Sequence, residues 1–179
     1  NKQKSAMNIR TFISFFLMGL ILVAVQIFLL KNLALFGVAL CFLYLLVIFS
    51  LPVSIGHISL ILLSFGIGLF IDVFYDTMGI HAASATFIGF IRPYWLKVIS
   101  PTGGYDDNNE PTLKEMGMGW YFTYAAPMIF FFSLIFFSID QWGTGGFFGV
   151  LNKSFFSSTL TFLLAILVQL LFFKKRRGI

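Results

Sequence analysis

Charge is what this sequence has least of. Only 11% of its 179 residues are Asp, Glu, Lys or Arg, against 59% hydrophobic, and the mean hydropathy is +0.93. That balance excludes an ordinary soluble domain and places the chain among polytopic membrane proteins. Cysteine is nearly absent. The single Cys41 lies inside an apolar run, so neither a disulfide framework nor a Cys-rich metal site can be built, and it reads as a packing residue. No polar stretch is long enough to make a second domain; the longest, Ser100 to Gly119, reads as a loop. Catalytic signatures are missing as well: there is no Gly-x-Ser-x-Gly elbow, no phosphate-cradling GxxxxGK(S/T) and no HExxH. Ser54 precedes His57 but falls in a turn at the membrane edge, so it makes no case for a nucleophile.

The net charge of +5 does not point to nucleic acid, which calls for a basic face on a folded surface. Here the basic residues sit at the ends of apolar runs, as orientation signals do. The terminal Lys174-Lys175-Arg176-Arg177 suits anionic lipid headgroups, so membrane lipid is the expected partner of the tail.

What is present is a series of apolar runs of hydrocarbon length. At 1.5 Å per residue, about 20 residues cross the roughly 30 Å hydrocarbon core. The runs predict a single all-α membrane domain of six spans, at about 11–30, 33–49, 57–74, 79–98, 119–139 and 155–173. The first run is long enough to span and lacks a small-residue cleavage site, so it reads as a helix and not as a signal peptide. Pro52 and Gly56 break the chain after the second, and Gly143, Gly145, Gly146 and Gly149 predict a flexible connection before the last. With both termini in the cytoplasm, that side receives Lys2, Lys4, Arg10, Arg92, Lys97, Lys114 and the basic tail, and the other side only Lys31 and Lys153. Asp72, Asp76 and Asp140 then lie at the outer face.

Against this background the stretch Gly66 to Pro93 stands out, GIGLFIDVFYDTMGIHAASATFIGFIRP. Asp72 and Asp76, four apart, either share one helical face and bind a cation or act as acid and base, or they cap a turn, one ending the third helix and the other preceding the fourth. His81 either handles protons with Asp76 or bonds to the turn. A zinc site is not expected, since His57 falls about 20 Å away at helical rise. Arg92, followed by the helix-bending Pro93, either snorkels to headgroups or pairs with a partner protein or with the loop acids Asp106, Asp107, Glu110 and Glu115. Ser64 and Gly68 on the third helix, and Ala85 and Gly89 on the fourth, have the spacing that lets backbones approach; Gly66 and Ala82 extend it. These two helices are expected to pack together, with Phe130, Phe131, Phe132, Phe136 and Phe137 facing lipid or another protein.

The run Gly68-Leu69-Phe70-Ile71-Asp72 followed by Thr77-Met78-Gly79-Ile80-His81-Ala82 resembles the signature segment of the MreD family of rod shape-determining membrane proteins. That segment has Gly-Leu, two apolar residues and Asp, then Leu-Gly, an apolar residue, His and Ala; Met78 stands here where Leu is usual. Phe87 to Pro111, with Ile91-Arg92-Pro93 and a Gly104-Tyr105 loop, resembles a variant of the same family. The resemblance implies a non-catalytic component of the bacterial cell-elongation machinery in the inner membrane, with no cofactor. It implies a bundle similar in fold to the substrate-binding subunits of energy-coupling-factor vitamin transporters. The implied partners are an MreC-like protein and, directly or indirectly, MreB, RodA and a class B penicillin-binding protein. Gly68, Asp72, Asp76, Gly79, His81, Arg92 and Pro93 become the motif positions that serve partner binding or structure. Two other readings stand beside it: a transporter subunit that binds a small vitamin-like solute near Asp72, Asp76 and His81, and an intramembrane enzyme.

Overall fold

The computed structural model describes residues 9–31, 39–105 and 110–172. Asp106 and Asp107 of the long loop and the basic tail from Lys174 lie outside these residues. The fold is all-α, with no β-strand among the described residues. Its helices are α1 (Ile9–Val25, continued by a π-helical turn Gln26–Leu30), α2 (Leu45–Ser50), α3 (His57–Tyr75), α4 (Ile80–Val98), α5 (Leu113–Met116), α6 (Met118–Asp140) and α7 (Phe147–Phe172). Three of them, α3, α6 and α7, are long and apolar enough to cross a membrane. The most extensive packing joins α3 to α4, α6 to α7 and α4 to α6.

Small residues set how close α3 and α4 come. A Cβ on Gly68 would stand 2.6 Å from the Cα of Ala82 and 2.7 Å from the carbonyl oxygen of His81, and one on Gly89 would stand 2.5 Å from Ser64 Oγ. Ala82 and Ala85 are buried in the same seam. Gly66 is not part of it. A Cβ there would meet nothing within 4 Å, because two residues along a helix from Ser64 is about 200° around its axis.

The expected second span is the largest departure. In place of one helix over 33–49, the described part is extended backbone and turn from Ala39 to Tyr44, followed by only six residues of helix. This segment runs through the middle of the bundle, and its side chains alternate as an extended chain requires. Phe42 and Tyr44 join the large core with Ile88 of α4 and Tyr124, Met128 and Phe132 of α6. Cys41 and Leu43 join a second core with Leu22 of α1 and Ala165 and Val168 of α7. Leu51, held extended ahead of Pro52, ends α2.

An unwound backbone at this depth survives only if its polar groups find partners within the protein. Leu40 N donates to Ser157 Oγ (2.9 Å), Phe42 N to Thr161 Oγ1 (3.0 Å) and Leu43 N to Gln26 Oε1 (2.7 Å). Gln26 Nε2 donates to Cys41 O at 2.8 Å. Ser157 and Thr161, four apart on α7, and Gln26 at the start of the π-turn thus take the place of the missing helical bonds. Each group left bare would cost about 1–3 kcal/mol.

Two further expectations change. The last helix begins at Phe147, not Phe155, so the glycine-rich connection shrinks to the turn Gln141 to Gly146. Phe132, Phe136 and Phe137 are buried among Phe42, Tyr44 and His81, and of the phenylalanine cluster only Phe131 is exposed. The reason is that α6 lies against α4 and α7 at once and so presents little of its surface to lipid. Pro93 and Pro127 both stand inside their helices. Pro127 cannot donate to Thr123 O, and Trp95 Nε1 from α4 occupies that carbonyl at 3.1 Å.

Candidate functional site: a capped hairpin and a clamped helix break

The turn between α3 and α4 is built by one carboxylate. Asp72, 5% exposed, accepts hydrogen bonds from Thr77 Oγ1 (2.5 Å), His81 N (3.0 Å) and Ala82 N (2.8 Å). His81 and Ala82 carry N–H groups of the first turn of α4, which have no partner inside that helix. Gly79, the residue at the cap position, has no side chain to serve them; its left-handed φ of 95° is one that glycine adopts without steric cost. The carboxylate reaches them from the neighbouring helix, and its negative charge meets the positive end of the α4 dipole.

The capping roles are therefore distributed differently from the sequence expectation. Asp76 does not precede α4 as its cap. It closes α3 in a left-handed conformation, its N–H on Asp72 O and its side chain exposed. Asp72, in the last turn of α3, caps α4 with its carboxylate. Met78, also left-handed at φ 45°, is fully exposed.

His81 faces inward from this turn and is 1% exposed. Its Nδ1 lies 3.0 Å from Tyr44 Oη, and its ring sits among Phe42, Tyr44, Tyr75 and Phe136, with centroids 4.7 to 6.0 Å away. Nε2 is buried without a hydrogen-bond partner among the described residues. The histidine thus joins the hairpin to the unwound segment. Beside it, Tyr75 Oη donates to Gln26 O and accepts from Gln26 Nε2, which ties the end of α3 to the π-turn. Lys31 Nζ donates to Phe74 O, so the end of that turn and the end of α3 lie together.

Arg92 lies eleven residues beyond His81, about 16 Å along α4. It does not snorkel, and its hydrogen bonds among the described residues go to neutral oxygens; Asp106 and Asp107 of the loop lie outside those residues. It is fully buried, with Nε donating to Tyr124 Oη (2.6 Å) and one terminal nitrogen to the carbonyls of Phe49 (3.3 Å) and Leu51. Those carbonyls close α2, whose C-terminal end carries partial negative charge, so the guanidinium sits where a helix end attracts a cation. Tyr124 Oη also donates to Phe49 O, at 3.2 Å.

One helix therefore grips the broken segment at two points, with His81 on Tyr44 and Arg92 on the end of α2, while α7 and Gln26 hold the backbone between them. Gly68, Asp72, Gly79, His81 and Ala82 come together at the hairpin. Ser64, Ala85 and Gly89 line the seam below it, Arg92 and Pro93 lie at the far end, and Asp76 and Gly66 point outward. Tyr44, Tyr124, Ser157 and Thr161 were not picked out from the sequence as site residues. The available signal was Ser154, Ser157, Ser158 and Thr161 at helical spacing along one face of α7, all four of which are buried.

Chemically, these groups hold backbone in place. Among the described residues no three His, Cys, Asp or Glu side chains gather as a metal site. No protein-family model, curated protein or solved structure matches this chain.

Proposed function

We propose that this protein is a non-catalytic scaffold of the bacterial cell-elongation complex, of the MreD kind, crossing the inner membrane six times with both termini in the cytoplasm. The observation that carries the reading is that Gly68, Asp72, Gly79, His81 and Ala82 of the sequence resemblance form one physical unit. Gly68 admits α4, Asp72 caps it, Gly79 makes the turn and His81 passes the contact to the core. A motif used in this way builds a rigid hairpin and leaves the apolar outer faces of α3 and α7 for neighbouring helices. Such a bundle would dock an MreC-like protein, and through it or directly MreB, RodA and a class B penicillin-binding protein.

A second reading, a substrate-binding subunit of a small-solute transporter, is favoured by the helix break, since discontinuous membrane helices often frame binding sites. His81 Nε2, Ser154 Oγ and Gln169 Nε2, buried without partners among the described residues, are the polar atoms it would use. Co-purification of the full chain from bacterial membranes in mild detergent separates the two. The scaffold reading expects MreC-like and peptidoglycan-synthesis proteins to come with it. Recovery of an ATPase pair together with a tightly bound vitamin would replace it with the transporter.

A further inference from the structure

The tip of the α3–α4 hairpin carries a side chain that the described fold does not use. Met78 is 102% exposed and stands in the left-handed region at φ 45°, between Asp76 at φ 55° and Gly79 at φ 95°. That backbone is unfavourable for a residue with a Cβ, so the turn around it imposes the conformation. Thr77 N donates to Asp72 O (3.4 Å) and Ile80 N to Thr77 O (3.1 Å), while the Asp72 carboxylate holds Thr77, His81 and Ala82. None of these bonds involves the Met78 side chain. A change in its chemistry therefore leaves the closure of the hairpin untouched.

The other described sulfur atoms are more shielded. Cys41 and Met128 are buried, Met18 and Met116 are half-buried, and Met118, 51% exposed, opens α6 beyond the far end of α4 from the tip. A thioether needs no deprotonation to act as a nucleophile, so access decides which methionine an oxidant reaches first. The surface beside Met78 is apolar, with Val73 and Phe74 both exposed. Leu, usual at this place in the segment that the sequence resembles, has similar apolar bulk and no sulfur.

We propose that Met78 is a reversible oxidation site, at which a peroxide converts the apolar tip of the hairpin into a polar one while the hairpin stays folded. The sulfur lone pair attacks one oxygen of hydrogen peroxide, and the S–O bond forms as the O–O bond breaks. The proton on the attacked oxygen passes to the departing hydroxide, which leaves as water. Sulfur gives up two electrons and the peroxide takes them, so the products are methionine sulfoxide and water. Methionine sulfoxide reductases return the thioether. The inference is independent of the elongation reading.

The test treats the full chain in detergent micelles with graded hydrogen peroxide and follows Met18, Met78, Met116, Met118 and Met128 by peptide mass spectrometry. Met78 is expected to gain one oxygen about twofold faster than Met118, in proportion to their exposure, and far ahead of Met128. In denaturant all five should react at one rate. Reductases for the two sulfoxide epimers should remove the oxygen from Met78. Hydrogen exchange at Ala82 should be the same before oxidation, after it and in Met78→Leu. Oxidation of Met118 or Met18 as fast as Met78, or the same order of reaction in denaturant, would overturn the site. So would faster exchange at Ala82 after Met78 is oxidised, or a sulfoxide that the reductases leave in place.

Discussion

The α3–α4 hairpin and the broken segment from Ala39 to Leu51 solve the same problem in opposite ways. Both present backbone N–H groups that lack helical partners in an apolar interior. In the hairpin the acceptor is Asp72, nine and ten residues from the N–H groups it serves. In the broken segment the acceptors on α7 are 117 and 119 residues away in the chain. A local solution leaves a local trace, a carboxylate before a glycine turn. A distant one leaves only scattered hydroxyls in another helix. The hairpin is thus fixed as soon as α3 and α4 meet, whereas the broken segment acquires its conformation only when α7 is in place.

The strongest way to break this comparison is at the hairpin seam. Gly68→Val would drive a branched side chain into the backbone at Ala82 and His81, and we expect a loss of at least about 3 kcal/mol, read as failure to recover folded monomer in detergent. Asp72→Ala strips the acceptor from two buried N–H groups and a hydroxyl. It should cost about 2–4 kcal/mol in reversible unfolding, with Asp72→Asn intermediate because one amide oxygen remains. Recovery of wild-type stability in Asp72→Ala would show that the carboxylate is not what closes the turn.

At the broken segment, Ser157→Ala and Thr161→Val each remove one acceptor and should cost about 1–2 kcal/mol apiece. Their effects should be non-additive in a double-mutant cycle, since both hold the same three residues of backbone. Strict additivity would mean that Leu40 and Phe42 relax independently and that the segment is not one unit. Hydrogen exchange at Phe42 should rise in Thr161→Val and stay slow at Ala82, while Asp72→Ala should reverse that pattern.

The smallest effect sharpens the contrast within a single helix. Gly66→Ala places its methyl in open space and should leave stability unchanged or raise it by up to about 1 kcal/mol through helix propensity. Gly68→Ala, two residues along, should destabilise. Equal effects from the two would remove the argument that close backbone approach selects glycine at position 68.

Much of the architecture was legible. Apolar runs bounded by turn residues placed α3, α4 and α6 within a residue or two, and the spacing of Ser64, Gly68, Ala85 and Gly89 named the seam between the first two. The 33–49 run was misread because periodicity carries no information where both faces are buried: Cys41, Phe42, Leu43 and Tyr44 are apolar in every direction, as a buried helix or a buried extended strand would be. Arg92 was misread for a related reason. A sequence shows that an arginine stands near a helix end, but not that three neutral oxygens from two other elements converge on it. The exchange of roles between Asp72 and Asp76 turned on which side chain points back across the turn, which spacing alone leaves open.

By itself, then, the chain determined its solvent, its all-helical character and the hairpin, since hydropathy and short-range turn chemistry act between residues close in sequence. Only the tertiary structure decided where the backbone leaves the helix and which charges go inside. Those outcomes depend on whether Gln26, Ser157, Thr161 and Tyr124 arrive from distant parts of the chain to bond groups that cannot be left bare in an apolar interior.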